Sequence, residues 1–141
     1  MIDFFIPCIP PTSTSQTKRL VMIQGKPRFF PNKKVAAAKK DLMLFLKETQ
    51  PKQPMEGPIE LWITFIWPWR SAEPKRNRAQ GTLHKTTKPD CDNLAKLITD
   101  CLTKLVYWND DSQVCRLRVA KYWGSDPGIS VTIFHPEEIN K

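Results

Sequence analysis

Two aspartates, Asp90 and Asp92, stand two positions apart at the end of the most basic segment of the chain. A further acidic pair, Asp110 and Asp111, follows at the junction between the next predicted helix and strand. Carboxylates at the start of a helix, joined by one from the beginning of a neighbouring strand, can reach a common point. Such an oxygen-ligand set suits Mg²⁺, which also binds phosphate. Because a bound metal of this kind activates water and stabilises both oxygens of a phosphodiester displacement, the residue types predict metal-dependent hydrolysis.

Asp92, Lys96 and Asp100 are spaced four residues apart and form one row along the helix predicted to begin near Asp92. The row lies about 180° from the apolar stripe of the same helix, so it is expected to face solvent or a cleft. One turn from Asp92, Lys96 is placed to orient a nucleophile or to stabilise the charge of the attacked phosphate. The stripe that is expected to face the core consists of Leu94, Leu97, Ile98, Cys101, Leu102 and Leu105.

Each of these acids also has a purely structural interpretation. Asp92 or Asn93 can act as the helix N-cap, a position that favours Asp and Asn. The row along the helix can be a ladder of surface ion pairs, each contributing about a few tenths of a kcal/mol. The second acidic pair can consist of ordinary turn residues. Taken together, however, the acids and the adjoining basic segment favour a functional site.

The chain carries a formal net charge of +8 and a sequence pI of about 9.5, which indicates a polyanionic partner. Residues 67–89 hold six Lys or Arg and a single acid, Glu73. Clustered carboxylates repel a phosphate backbone, so a nucleic-acid enzyme needs cations around its metal site. A basic surface that only aids solubility is the alternative. The predicted DNA-contacting residues of this segment are Arg70, Lys75, Arg76, Arg78, Lys85 and Lys88.

The order of elements predicts an α+β fold. Apolar residues alternate along residues 59–67, which predicts a long strand with one buried face. Residues 69–89 lack periodicity and are predicted to form a mobile basic loop. A short first strand, a hairpin turning at Gln24-Gly25 and a helix with Asn32 as its N-cap precede them. The helix from near Asp92 to about Leu105 and two closing strands follow. All 141 residues are predicted to form a single domain, with two main helices packed on one mixed sheet.

The composition argues against several other classes of protein. No apolar run is long enough to span a membrane, and the prolines of MIDFFIPCIPP disfavour an export signal, so a cytoplasmic protein is expected. The four cysteines form no CxxC pair and there are only two histidines, so the spacing of zinc ligands is absent. Reduced thiols are therefore expected, with disulfides as the second interpretation.

The segment KPDCDNLAKLITDCLTKLVYWNDDSQV resembles the signature of the RusA-type Holliday junction resolvases, small Mg²⁺-dependent endonucleases common in phages and prophages. The family pattern has an Asp-x-Asp-Asn-Leu-x-Lys run, a further helical Asp, and a Trp-x-Asp-Asp-x-x-Val run. The segment GKPRFF, the long strand and the closing KYWGSDPGISVTI also agree, so the resemblance covers most of the chain. The matching residues are Asp90, Asp92, Asn93, Leu94, Lys96, Asp100, Trp108, Asp110, Asp111 and Val114.

The resemblance implies roles for individual residues. Asp90, Asp92 and Asp111 are implied as metal-binding catalytic acids, and Lys96 as an essential lysine of the active site. Mg²⁺ is the implied cofactor, with Mn²⁺ as a substitute. The supporting residues are Asp100, Asp110 and Asn93, with Asp100 expected to tether Lys96 or a backbone group. The first loop, PPTSTSQTKR, lacks the Gly- and Arg-rich character of many members, and its Lys18 and Arg19 are included among the predicted DNA contacts.

The resemblance also implies a RusA-like homodimer, which suits the two-fold symmetry of a four-way junction. The function expected is a structure-selective endodeoxyribonuclease that nicks such junctions symmetrically in recombination and repair. It would act in the cytoplasm, on the nucleoid, as a bacterial or phage-encoded protein. Recognition would be by DNA shape and phosphates rather than mainly by base edges. The alternatives are a non-catalytic basic DNA-binding phage protein and a related nuclease that acts on flaps or replication forks.

Overall fold

A five-stranded mixed sheet and two long helices make up most of the fold in this computed structural model, which describes residues 1–12, 18–31 and 33–136. The strands are β1 Ile2–Pro7, β2 Lys18–Ile23, β3 Lys26–Pro31, β4 Ile59–Pro68, β5 Thr82–His84, β6 Val114–Gly124 and β7 Gly128–Phe134. The helices are α1 Lys33–Glu48, the short α2 Lys75–Arg78 and α3 Cys91–Lys104, followed by a 3-10 turn at Asp111–Gln113.

The sheet has the order β1-β7-β4-β6-β5, with β4 parallel to β6 and the other neighbours antiparallel. Strands β2 and β3 form a separate hairpin, whose turn residues Gln24 and Gly25 have positive φ angles of 50° and 76°. A two-residue turn of this kind matches the twist of the strands it joins. The predicted α+β fold and hairpin are confirmed.

The core lies between one face of the sheet and the two long helices, which contact each other. Strand β4 is paired on both sides and buries alternate side chains on this face, because side chains along a strand alternate between its faces. The α3 stripe packs against them. The β4 residues concerned are Ile59, Leu61, Ile63, Phe65 and Trp67.

Three features of the secondary structure differ from the predictions. The segment 69–89 was predicted as a loop, but it contains α2 and β5, because residues 82–84 pair with β6 and extend the sheet. Helix α3 begins one residue earlier than predicted, at Cys91. The backbone of Lys18 and Arg19 lies in β2 rather than in a loop. The predicted N-cap Asn32 lies outside the described residues.

Two further predictions concern the whole chain. Within residues 1–12, 18–31 and 33–136, no helix is long and apolar enough to cross a membrane. All four cysteines fall in these ranges and none of them is in a disulfide. Burial raises the pKa of the Cys8 and Cys101 thiols, which keeps both of them protonated.

Candidate active site

The amino-terminal end of α3 presents the first pair of aspartates. Asp90 occupies the N-cap position with φ −75° and ψ 149°, yet its carboxylate accepts no capping hydrogen bond. Asp92 lies in the first turn, and both residues are exposed. The partial positive charge at a helix amino terminus favours carboxylates at this place. The structural interpretation of Asp92 or Asn93 as the N-cap is therefore wrong, since Asp90 holds that position without using its side chain.

The row of Asp92, Lys96 and Asp100 lies on the side of α3 away from the core, as predicted. Asp92 and Lys96 are exposed and Asp100 is half-buried, whereas the apolar stripe is buried except for Leu105, which is half-buried. In the part of the chain that the structure describes, no ion pair joins the members of the row. The ladder interpretation is therefore not supported, and neither is a tether from Asp100 to Lys96 through an ion pair.

The second acidic pair divides into two different environments. The Asp110 carboxylate caps the 3-10 turn by accepting the Ser112 backbone N–H at 2.9 Å, and the Gln113 side chain accepts the Asp110 N–H at 3.0 Å. The bond from Ser112 lowers the pKa of Asp110. Asp111 is exposed, and its pKa is raised first by contact with the Asp110 carboxyl, then by desolvation and by the charges of Asp110 and Asp100. Both acids belong to this turn, and the Asp110 carboxylate is the one that caps it.

The first acidic pair lies at the start of α3, and the second lies at the 3-10 turn that follows this helix. Asp111 is within electrostatic reach of Asp100, which is eight residues, or about 12 Å of helix, from Asp92. Among residues 1–12, 18–31 and 33–136, no three His, Cys, Asp or Glu side chains are close enough together to hold a metal ion. Within these residues, Asp90, Asp92 and Asp111 are therefore not gathered into one cluster.

Lys85, which was predicted to contact DNA, is buried inside the protein. Its ammonium donates to Thr87 Oγ1 at 2.5 Å and to the Lys88 carbonyl at 2.6 Å. It also lies over the aromatic rings of Trp67 and Trp123, at 5.1 and 4.4 Å from their centroids. Burial, and then the neighbouring cations, lowers the pKa of Lys85. A direct phosphate contact by Lys85 does not fit this environment, so that prediction is corrected to a structural role.

Lys121 is a second lysine of this region, and it was not predicted. Its ammonium donates to the Thr87 carbonyl and to the Pro89 carbonyl, both at 2.7 Å. The signal that indicates it is the alternation of β6. Lys121 follows Leu117 and Val119 on the face of the strand that turns toward the helices, where a cation is unexpected unless it has buried acceptors.

The only acid of the basic segment, Glu73, is the centre of a polar network. Its buried carboxylate accepts Arg70 Nη2 at 2.9 Å and Asn77 Nδ2 at 2.8 Å, while Arg78 donates to the Arg70 carbonyl at 3.0 Å. The bond from Asn77, followed by the contacts with Arg70, lowers the pKa of Glu73. The Arg70 guanidinium also lies 4.9 Å from the ring centroid of Trp123. Arg70 and Arg78 therefore hold the segment together. The ring of Trp123 contacts a cation from each end of the segment, Arg70 and Lys85.

Three other predicted DNA contacts, Lys75, Arg76 and Lys88, are exposed. In the described part of the chain their side chains form no ion pair. Their positive charges therefore lie at the surface of the protein. The side chains of Lys18 and Arg19 lie outside the described part.

Two arginines that were not predicted are exposed on the face of the sheet opposite the helices. Arg116 forms an ion pair with Glu60 at 3.5 Å. The Arg118 guanidinium lies 5.1 Å from the ring centroid of Trp62. Both follow from the alternation of β6, in which they face away from the core.

Comparisons with known proteins indicate one family. The family model described as endodeoxyribonuclease RusA matches residues 9–134. The chain is 33% identical over 100 residues to the uncharacterized protein YqaN of Bacillus subtilis (strain 168), covering 67% of this chain and 70% of that protein. It is 32% identical over 111 residues to the crossover junction endodeoxyribonuclease rusA of Lactococcus phage r1t, covering 77% of this chain and 79% of the relative. The resemblance in the sequence is thereby confirmed, and the chain belongs to the RusA family of endodeoxyribonucleases.

Proposed function

We propose that the protein is a structure-selective endodeoxyribonuclease that resolves four-way DNA junctions by symmetric, Mg²⁺-dependent nicking. The observation that carries the proposal is the pair of exposed carboxylates, Asp90 and Asp92, at the start of α3. Neither serves as a cap or an ion-pair partner in the described residues, and both follow a segment rich in cations. The phage relative, which is named a crossover junction endodeoxyribonuclease, supports the choice of substrate.

The donor chemistry of the Asp90–Asp92 pair fits Mg²⁺. This ion retains several waters and is commonly held by one or two carboxylates together with substrate phosphates. Asp90 and Asp92 would hold it, and Asp111 is the proposed third acid. When bound, Mg²⁺ lowers the pKa of a water and stabilises the attacking and leaving oxygens; Mn²⁺ is the proposed substitute.

Lys96 supplies the positive charge of the proposed site. It is exposed one helical turn beyond Asp92 and forms no ion pair in the described residues, so its ammonium is available to a phosphate. A preorganised cation is effective at the point where negative charge develops in the transition state. Asp100, Asp110 and Asn93 are proposed as supporting residues. Asp110 would act by fixing the turn that carries Asp111.

DNA binding is proposed to rest on the exposed cations that precede the acids. Lys75, Arg76 and Lys88 would contact phosphates, which position a protein on DNA without reading its sequence. A homodimer is proposed because two symmetric nicks in a four-way junction require two related active sites. The proposed setting is the cytoplasm, in recombination and repair.

The test uses the purified full-length protein with Mg²⁺ and a labelled four-way junction, beside a flap and a replication fork. Paired symmetric nicks in the junction, faster than cuts in the other two DNAs, are expected. Binding without any cut would contradict the nuclease and support the non-catalytic DNA-binding alternative. Faster cutting of flaps or forks would keep the chemistry and change the substrate.

Asp92→Asn tests the proposed metal site directly. This change removes a charge but almost no volume, so we expect unchanged junction binding and a loss of cleavage of more than about 1,000-fold. Asp126→Asn, at an exposed acid in the turn between β6 and β7, is the matched control and should cut like the wild type. Normal cutting by Asp92→Asn would contradict the assignment of the metal site.

A further inference from the structure

We propose that Lys121 and Lys85 are positioning residues for the catalytic acids. Their ammonium groups hold the backbone immediately before Asp90, and so fix where Asp90 and Asp92 lie. The inference rests on the proposed nuclease function and deepens it, by adding two residues that do not themselves reach the DNA.

Three consecutive carbonyl groups lead into the site, and each accepts a hydrogen bond from one of the two lysines. Lys121 binds the carbonyls of Thr87 and Pro89, at 2.7 Å each. Lys85 binds the Lys88 carbonyl at 2.6 Å and, at 3.4 Å, the Thr87 carbonyl as well. The Pro89 carbonyl, which accepts from Lys121, belongs to the peptide group that joins Pro89 to Asp90, the first proposed ligand.

These bonds replace the secondary structure that the segment lacks. Residues 86–89 belong to no helix or strand, and backbone carbonyls left without partners away from water are costly. An ammonium group has three donors and forms charge-assisted bonds, which are stronger than those between neutral groups. Two lysines can therefore fix a short irregular segment that a β-ladder cannot reach.

The burial of Lys85 shows that the arrangement has a cost. Removing an ammonium from water is unfavourable unless it is well paired. The aromatic faces of Trp67 and Trp123 compensate in part, because a cation is attracted to the face of an indole ring. A lysine whose charge is needed at the surface remains there, as Lys88 does three residues later. We infer that this cost is offset by the need to fix the positions of Asp90 and Asp92, the proposed metal ligands.

The expected consequence is an effect on catalysis without an effect on DNA binding. A displacement of about 1 Å in a catalytic group can reduce a rate by about 100-fold. Loss of an outer residue that orients metal ligands typically costs about 10–100-fold in metal affinity or activity. The exposed cations that would contact phosphate are separate residues, so affinity for the junction should stay the same.

The experiment compares Lys121→Met with Lys121→Arg in the full-length protein. Lys121→Met keeps the apolar stem and removes both bonds, and Lys121→Arg retains charged donors. Lys104→Met, at an exposed lysine in the last turn of α3, is the control. The measurements are the single-turnover cleavage rate, the Mg²⁺ concentration for half-maximal rate, the Kd for the junction without metal, and the thermal unfolding curve.

We expect Lys121→Met to cut about 10–100-fold more slowly and to need more Mg²⁺, with the Kd changed less than about twofold. Lys121→Arg should recover part of both losses, and Lys104→Met should match the wild type. Thr87→Val removes an acceptor of Lys85 at an exposed residue and serves as a second variant that preserves the fold. It should also raise the Mg²⁺ requirement, by a smaller factor.

The positioning role would be overturned if folded Lys121→Met and Thr87→Val both cut at the wild-type rate with an unchanged Mg²⁺ requirement. It would also be overturned if slower cutting came with an unchanged Mg²⁺ requirement and no recovery in Lys121→Arg, because that result indicates a general structural defect. Absence of cleavage by the wild-type protein would instead contradict the proposed nuclease function, so the two failures are distinguishable.

Discussion

The two regions that carry the acidic pairs differ in which groups hold the backbone in place. Asp90 and Asp110 are both N-caps, yet only Asp110 uses its carboxylate as one. Before Asp90, the ammonium groups of Lys85 and Lys121 donate to backbone carbonyls, and the carboxylates of the first pair remain exposed. In the second region both acids are exposed, but the Asp110 carboxylate itself caps the turn by accepting the Ser112 N–H. The same residue type at the same helical position therefore makes no capping bond where other groups hold the backbone, and makes one where the acid must close the turn itself.

The largest effect that tests this comparison is expected in the second region. Asp111→Asn removes a proposed metal ligand and should reduce cleavage by at least about 100-fold with junction binding intact. Asp110→Asn should reduce cleavage by less than about 10-fold, because Asn is as good an N-cap as Asp and preserves the turn. Cleavage rates of the two variants, beside Asp126→Asn, measure the difference. A larger loss in Asp110→Asn than in Asp111→Asn would reverse the roles of the two residues.

A smaller effect, on stability, is expected from the Glu73 network in the basic segment that precedes the first pair. Glu73→Gln weakens the bonds from Arg70 and Asn77, and should lower the unfolding temperature by about 4 °C at pH 7, the size of shift expected for one charge-assisted bond in a domain of this length. Glu56→Gln, at an exposed glutamate, is the control.

The difference in stability between the wild type and Glu73→Gln should depend on pH, because the pKa of Glu73 is lowered in the folded protein. A carboxyl group whose pKa is lower in the folded state stabilises that state above its pKa in the unfolded chain, and the stabilisation is lost as the pH falls through the folded value. The difference between wild type and Glu73→Gln should therefore be complete above the ordinary glutamate pKa of 4.5 and shrink at lower pH. A difference that is constant over this range would show that the Glu73 charge does not hold the segment.

The sequence was sufficient to predict the parts of the site that depend on local periodicity. The exposed row of α3 and the buried face of β4 follow from the helical and strand repeats, and both are confirmed. The element content of residues 69–89 was not predictable in this way. Strand β5 has three residues and exists through its pairing with β6, about 40 positions later in the chain.

The different roles of Lys85, Lys88 and Lys121 could not be predicted from local pattern either, because they depend on contacts between residues far apart in the sequence. Lys85 and Lys88 are both lysines in one basic run, and nothing in the run itself distinguishes them. The difference arises because Trp67 and Trp123 come from two strands that meet beneath Lys85. Lys121 contacts residues that are 32 and 34 positions away. Such contacts depend on how the chain folds back on itself, so composition alone predicts a basic surface but does not identify which cations remain on it.

The smallest expected effect separates these two lysines by the salt dependence of junction binding. Each neutralised phosphate contributes about 0.9 to the slope of log affinity against log salt for duplex DNA, which is about a threefold change in affinity over a fourfold change in salt. Lys88→Gln should lower the slope by about that amount, because its exposed ammonium is available to a phosphate. Lys85→Gln should leave the slope unchanged, since its ammonium is directed at the Thr87 hydroxyl and the Lys88 carbonyl. Equal slopes for both variants would mean that burial does not decide which lysines of the segment bind DNA.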